Sequence, residues 1–243
     1  MQDLAARVRR AFSLAIKKPR TSIIEMHDRV VNLATSRKDA GIALAEVHGE
    51  YAHARFIRAA LPQLAEAGTR KMYIEHFQQW MQPVLDEWQE TGDASDVKRL
   101  FNEALGLAHS RDQWVHTWKI LNVARENNIR VIALEPDTVY APYIGLSILG
   151  RNYEWQKRIE QDQAQSPSPY ILYCGQGHVT RKNDHGAFPV TKMLGIPAVM
   201  LRRGLPSYHE SAVDQDLFHC WLPMSFDQTQ ITGVRMQAPK LVH

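Results

Sequence analysis

Residues 41–48 read GIALAEVH, and residues 170–178 read YILYCGQGH. Each stretch begins with a short apolar run and ends on polar side chains. Short runs that are apolar throughout are typical of strands buried on both faces of a parallel sheet. The two stretches therefore predict central strands whose carboxyl ends carry reactive groups.

Other runs along the chain have the same character. The predicted strands are residues 41–48, 71–75, 130–135, 170–175 and 197–201, with weaker candidates at 217–221 and 230–236. Apolar residues at helical spacing lie between them, at residues 53–67, 114–128 and 153–165. This alternation predicts an α/β fold with a central, mainly parallel sheet flanked by helices.

The chain is expected to form a single α/β domain over residues 1–243, with N-terminal helices in residues 1–40. Residues 77–128 are rich in helical patterns and predict an insertion or cap after the second strand. Pro62 predicts a kink or break in its helix, and residues 89–95 (QETGDAS) predict a loop.

Composition excludes several classes of protein. The 243 residues are 44% hydrophobic and 23% charged, which is ordinary for a soluble globular protein. A net charge of +3 does not indicate a nucleic-acid partner, and the two cysteines form no disulfide framework or CxxC metal motif. No apolar stretch is long enough to predict a transmembrane segment.

The first twenty residues, MQDLAARVRRAFSLAIKKPR, are basic and lack the apolar core of a signal peptide. A solvated surface helix is the favoured interpretation, and a transit peptide or peripheral membrane contact is the alternative. We therefore expect a cytoplasmic protein, or an effector that is secreted without a cleavable signal peptide. The oligomeric state is left open.

Carboxylates and imidazoles follow the predicted strands. Glu46 and His48, two residues apart, point to the same side of an extended chain, about 6–7 Å from each other. Glu75 ends the second strand, and His178 follows the fourth in a Gly-Gln-Gly-His turn. Because the carboxyl ends of parallel strands meet at one edge, we expect these groups to converge. A structural alternative is that Glu46 pairs with an arginine and His48 is a satisfied loop histidine.

Other polar residues are weaker candidates. Arg151, near a helix start, opposes the helix dipole and so predicts a nearby anion, either a site carboxylate or a substrate group; a surface salt bridge is the alternative. Tyr140 and His53 are candidates to line the cleft. His76 faces away from Glu75 if the strand continues, which favours a structural role, and Cys174 is expected to be a small buried apolar residue.

Four motifs in this order resemble a known superfamily. They are Ala45-Glu46-Val47-His48, residues 68–76 (GTRKMYIEH), Arg151-Asn152, and Gly175-Gln176-Gly177-His178. The pattern resembles the superfamily of erythromycin esterases, ChaN-like haem-binding proteins and TIKI/TraB proteins, and within it the related domain of dermonecrotic-type, Pasteurella toxin-like toxins. Two departures are Ala45, where glycine is usual, and Glu135-Pro136-Asp137, which leaves open which acid matches the family position.

The resemblance implies an α/β fold with a cleft lined by histidines and glutamates, without fixing the reaction. Our hypothesis is a hydrolase of ester or amide bonds in a small-molecule or peptide substrate. Its catalytic residues, or ligands of a divalent Mn, Fe, Co or Zn ion, are Glu46, His48, Glu75 and His178. Arg151, Tyr140 and His53 are assigned to the substrate. The alternatives are binding of haem or another small ligand, and a toxin or effector domain acting by interaction.

Overall fold

A computed structural model describes residues 22–36, 41–47, 50–105, 111–137, 148–180, 188–204, 207–210 and 217–222. Seven strands lie in these ranges. They are β1 (Ile42–Glu46), β2 (Lys71–Gln78), β3 (Arg130–Glu135), β4 (Tyr170–Gly175), β5 (Ala198–Arg203), β6 (Ser207–Glu210) and β7 (Leu217–Leu222).

All seven strands belong to one sheet, in the order β3-β2-β4-β1-β5-β7-β6. Every neighbouring pair is parallel except β6 and β7, which are antiparallel. The predicted α/β fold with a central, mainly parallel sheet is therefore confirmed. The apolar runs of β1 and β4 are fully buried, as strands in the middle of a doubly covered sheet must be.

Seven α-helices lie in the described ranges. They are α1 (Ile23–Thr35), α2 (Tyr51–Glu66), α3 (Gln82–Thr91), α4 (Ser95–Leu105), α5 (Arg111–Glu126), α6 (Ile148–Gln165) and α7 (Val190–Leu194). None of the helices in this part of the chain combines the length and apolar character that a membrane crossing requires.

The helices cover both faces of the sheet. Buried side chains of α1 to α5 share one core with Leu44 of β1 and Ile74 of β2. Buried side chains of α6 and α7 share a second core with Ala45 of β1 and Tyr73 of β2. Adjacent strand residues enter different cores because side chains alternate along a strand. The three helices α3, α4 and α5 lie between β2 and β3, inside the range predicted as a helical insertion or cap.

Local expectations differ from the structure at several points. Pro62 lies inside α2, which runs without interruption because Leu61 and Leu64 on either side are fully buried. The predicted loop at 89–95 is wrong in its first part, since α3 continues to Thr91 and ends at Gly92, whose φ is 83°. Strand β6 was not predicted, and the predicted strand at 230–236 lies outside the described residues.

Candidate active site at the carboxyl edge of the sheet

The strand order brings three carboxyl ends together. Strand β4 lies between β2 and β1, so the residues that end these three strands occupy one edge of the sheet. The helix after β1 packs on one face of the sheet, and the helix after β4 packs on the other. In open α/β sheets such a switch leaves a crevice beyond the strand ends, which is the usual position of a ligand site.

A group of five residues at this edge, here called the edge cluster, consists of Glu75, Glu135, Arg151, Asn152 and His178. Its centre is the Arg151 guanidinium. Nε and Nη2 donate to the two Glu135 carboxylate oxygens at 2.7 and 2.5 Å, and Nη2 also donates to Oε1 of Glu75 at 2.7 Å. The Arg151 guanidinium is therefore the counterion of both the Glu75 and the Glu135 carboxylates.

Both carboxylate oxygens of Glu75 accept hydrogen bonds. While Oε1 accepts from Arg151, Oε2 accepts a hydrogen bond from the backbone N–H of Gly175 at 2.6 Å. This second contact exists because β2 and β4 are neighbours and Gly175 ends β4. Charge-assisted hydrogen bonds of this kind fix both the position and the orientation of a carboxylate.

His178 lies in a single 3₁₀ turn, Gln176–His178, directly after β4. Its Nδ1 is 2.6 Å from Oδ1 of Asn152, whose amide nitrogen donates to the Phe188 carbonyl at 2.8 Å. Because the Asn152 oxygen is the atom that faces the ring, Nδ1 of His178 must carry the proton. The other ring nitrogen, Nε2, is 3.3 Å from Oε1 of Glu75.

Burial shifts the pKa of two groups at this edge, Glu135 and Cys174. Burial raises the pKa of Glu135 to about 7, although the Arg151 guanidinium acts in the opposite direction and Glu75 adds repulsion. The shift is reasonable because two buried carboxylates share one guanidinium. Burial also raises the pKa of the Cys174 thiol, which is fully enclosed and therefore neutral.

A second group lies at the same edge on the α2 face. Nε2 of His76 is 3.6 Å from Oε1 of Glu46, and the His76 ring stacks on Tyr173 with centroids 5.1 Å apart. The Tyr173 hydroxyl hydrogen-bonds to Glu46. Beside Glu46 lies a cavity of about 10 Å³, lined also by His116 and Thr117, which is room for about one water molecule.

The predicted site residues thus separate into two sets. Glu75 and His178 meet in the edge cluster together with Arg151, whereas Glu46 meets His76. Side-chain alternation explains this separation. Glu46 lies on the same face of the sheet as Leu44, and Glu75 lies on the same face as Tyr73, because residues two apart in a strand point the same way. Leu44 and Tyr73 belong to different cores.

Three predicted site residues remain. His48 and Tyr140 lie outside the described residues. His53 is fully buried in the first turn of α2, where its Nδ1 accepts a hydrogen bond from the backbone N–H of Val47 at 3.2 Å. Burial lowers the pKa of His53, which suits a neutral acceptor that holds the turn between β1 and α2.

No group of three or more His, Cys, Asp or Glu side chains is arranged to hold a metal ion within the described ranges. The separation of Glu46 from Glu75 and His178 is in keeping with this result. The predicted metal ligands therefore do not come together as one coordination sphere among the residues whose side chains are described.

Sequence reasoning missed several contributors. Between the two acids that the motif left open, Glu135 enters the edge cluster, whereas Asp137 accepts from the backbone N–H of Trp80 at 3.0 Å. Asn152 was part of the Arg-Asn motif but was assigned no role. Tyr173 is indistinguishable in sequence from its core neighbours, because its contact with Glu46 depends on the pairing of β4 with β1.

Apolar side chains surround this edge. Among the described residues, the large hydrophobic side chains that are substantially exposed are Val47, Tyr51, Trp80, Val115, Tyr153 and Phe188. Val47 follows β1, Trp80 follows β2, and Phe188 supplies the carbonyl bound by Asn152. We call Val47, Trp80 and Phe188 the apolar rim.

Comparison with known proteins agrees with the motifs. Residues 33–146 match the family model described as haem-binding uptake, Tiki superfamily, ChaN. The resemblance to the ChaN/Tiki superfamily is confirmed. The match includes Glu46, Glu75 and Glu135 but ends before Arg151 and His178. The comparison with curated proteins gave no match.

Solved structures similar to this chain include effector and toxin domains. The type III effector HopBA1 has a TM-score of 0.61 at 15% identity, covering 82% of this chain and 93% of the effector. RRSP, a MARTX toxin effector domain from Vibrio vulnificus CMCP6, has a TM-score of 0.54 at 20% identity, covering 79% of this chain and 36% of that domain. At these identities the likeness shows a shared fold. The C-terminal region of Pasteurella multocida toxin matches with a TM-score of only 0.49 at 13% identity, covering 72% of this chain and 24% of that one.

Proposed function

We propose that this chain is a hydrolase that cleaves an ester or amide bond at the edge cluster. The observation that carries the proposal is the placement of His178. Its Nδ1 is bound to Asn152, and its Nε2 lies beside the anchored Glu75 carboxylate. An imidazole with a fixed tautomer and an adjacent carboxylate is the arrangement that general acid–base catalysis requires.

The proton follows a short path in this proposal. Water attacks the substrate carbonyl carbon while its proton passes to Nε2 of His178. Glu75, 3.3 Å away, stabilises the imidazolium that forms. The same proton then passes from Nε2 to the departing alkoxide or amine, as the carbon–oxygen or carbon–nitrogen bond breaks.

Arg151 and Glu46 have supporting roles in this proposal. The described hydrogen bonds of Arg151 use Nε and Nη2, so we assign its Nη1 to the oxygen of the substrate that becomes negative. Glu46 is a candidate for orienting water, because its buried carboxylate borders the small cavity on the α2 face. Cys174 is excluded as the nucleophile, since it is buried and its thiol stays protonated.

The substrate is proposed to be a small molecule or peptide with an apolar group beside the scissile bond. The apolar rim supports this, since Trp80 is 47% exposed and Phe188 is 57% exposed at the same edge. Such side chains contribute most when a ligand removes them from water.

A metal-dependent form of this hydrolase would use a divalent Mn, Fe, Co or Zn ion. The described residues fit such an ion poorly. Glu46 and Glu75 face different cores, and Nδ1 of His178 is occupied by Asn152. Metal content of the purified chain, compared with that of a Glu46→Ala, His48→Ala double variant, tests it. Stoichiometric metal that is lost in the double variant supports the metal site, and no metal in either protein contradicts it.

The hydrolase proposal is tested with panels of esters and peptides and with His178→Ala. We expect turnover by the natural chain and loss of turnover in the variant, with an unchanged fold by circular dichroism. The control is His27→Gln, which changes a buried histidine on α1 that packs against α2. Full activity of His178→Ala, or no turnover by the natural chain on either panel, contradicts the proposal.

Haem binding is the second candidate, because the matching family model carries that description. The described residues fit haem poorly. Both ring nitrogens of His178 face protein groups, and His53 is buried with one ring nitrogen bound to the backbone. Titration with haemin tests this candidate: a Soret band at one haem per chain supports it, and no uptake contradicts it.

An effector role is compatible with hydrolysis and is proposed from the fold shared with HopBA1 and RRSP. Expression of the chain inside host cells tests this role. Toxicity that is lost with His178→Ala supports an enzymatic effector. Toxicity that survives the substitution supports action by interaction instead.

A further inference from the structure

We propose that Trp155 is a positioning residue for His178, an inference that rests on the proposed hydrolase function. The indole and imidazole rings are stacked, with centroids 4.0 Å apart and planes inclined by 25°. Trp155 lies on α6 and His178 in the turn after β4, so this contact joins two separate elements of the site.

The proposal rests on the rotation of the His178 ring, which its two polar contacts do not fix. The contacts at Nδ1 and Nε2 lie on opposite sides of the imidazole ring. Together they define an axis through the ring, but they resist rotation about that axis only weakly. A flat surface against the ring removes this remaining freedom, and the Trp155 indole is that surface. Stacking therefore keeps Nε2 fixed in position and orientation beside Glu75, where the proposed proton transfer takes place.

One stretch of α6 carries the other partners of the site. Arg151 and Asn152 precede Trp155 by four and three residues, which places all three on neighbouring positions of the helix surface. The Arg151 guanidinium lies 5.3 Å from the centre of the indole ring, within the range of a cation–π interaction. Trp155 thus packs against both Arg151 and His178, the two side chains that contact Oε1 of Glu75.

Filling the core does not by itself explain a tryptophan here. Trp155 is fully buried, and its indole Nε1–H has no hydrogen-bond partner in the described structure. A buried donor without a partner is unfavourable, and phenylalanine would fill much of the same space without it. The wide indole face is what tryptophan adds at this position.

The test compares Trp155→Phe, Trp155→Leu and the control Ile159→Ala. Ile159 is buried in the same core one turn further along α6. We expect kcat of Trp155→Leu to fall about 10- to 100-fold at nearly constant KM, because a reacting group is misplaced. Trp155→Phe should keep most of kcat, and Ile159→Ala should lose stability but not kcat. Unchanged kcat in Trp155→Leu, or an equal loss in Ile159→Ala, overturns the proposal.

A second measurement does not depend on activity. The indole ring current shifts the NMR signals of the His178 ring protons, and these signals should move in Trp155→Leu and stay close to their places in Ile159→Ala. If the natural chain hydrolyses nothing while the signals move as expected, the hydrolase function fails and the positioning contact stands. Signals that do not move in Trp155→Leu overturn the positioning role.

Discussion

The Nε2 atom of His178 lies 3.3 Å from Oε1 of Glu75. The two residues are neighbours because β4, which leads into His178, lies beside β2, which carries Glu75. The same strand pairing lets the Gly175 backbone N–H donate to Glu75. Parallel pairing of strands that are distant in sequence therefore assembles the acid–base pair on which the proposed function depends.

Removing the cation of the edge cluster should be costly. Arg151→Met leaves the carboxylates of Glu75 and Glu135 buried without it, and we expect a loss of about 3–5 kcal/mol in the free energy of unfolding. Urea denaturation measures this loss. Adding Glu135→Gln to Arg151→Met should recover part of it, since the cost of burying an ionisable group without its cation is removed at this position. A double variant less stable than Arg151→Met would contradict this explanation.

The stability of the chain should depend on the ionisation of Glu135. Because burial raises its folded-state pKa from 4.5 to about 7, the folded state holds this proton more tightly than the unfolded state. The stabilisation that comes from binding this proton is therefore lost as pH rises from 4.5 to 7. Relative to the natural chain, Glu135→Gln should gain up to about 3 kcal/mol over this interval.

Denaturation curves of the natural chain and Glu135→Gln at several pH values check this prediction. Glu154→Gln, which changes an exposed carboxylate on α6, serves as the control. A stability difference between Glu135→Gln and the natural chain that stays constant from pH 4.5 to 8 would show that the Glu135 pKa is not raised.

Asn152 should be needed for turnover. It is fully buried, and its amide joins Nδ1 of His178 to the Phe188 carbonyl. We expect Asn152→Ala to lower kcat by about 10²- to 10⁴-fold, the range associated with general acid–base catalysis, because the imidazole loses its fixed tautomer. Steady-state kinetics on the substrate found in the panels provides the measurement. Natural kcat in a folded Asn152→Ala would remove Asn152 from the mechanism.

Two glutamines on α3 should protect the edge strand β3. The Gln89 amide donates to the Ile129 carbonyl and accepts from the Val131 N–H, and the Gln82 amide does the same for Val131 and Ala133. These amides take the place of a neighbouring strand. Gln89→Leu leaves two backbone groups unpaired.

We expect Gln89→Leu to cost about 1–3 kcal/mol per unpaired group and to promote self-association at high concentration. Urea denaturation and analytical ultracentrifugation measure the two effects. Glu90→Leu, an exposed position on the same helix, is the matched control for the added apolar surface. Equal behaviour of the two variants would mean that the Gln89 amide does not protect the edge.

Much of the fold follows from local patterns. The bounds of β3 and β4 agree with their predicted ranges, because runs such as residues 170–175 are apolar on both faces and end abruptly at glycine. Elements under tertiary control were harder to predict. Pro62 favours a break that the surrounding core prevents, and β2 continues past Glu75 with a shift in its pairing to β3.

Local patterns are enough to predict which segments form buried strands and which polar residues follow them, because hydrophobic burial and side-chain alternation are local properties. Which of those residues meet depends on how the strands and helices pack. Insertion of β4 beside β2 brought His178 and Glu75 together, and packing of α6 added Arg151, Asn152 and Trp155. Because side chains alternate along β1 and β2, Glu46 contacts His76 instead. Such contacts depend on hydrogen bonds between strands and on packing between distant segments, which no local pattern encodes.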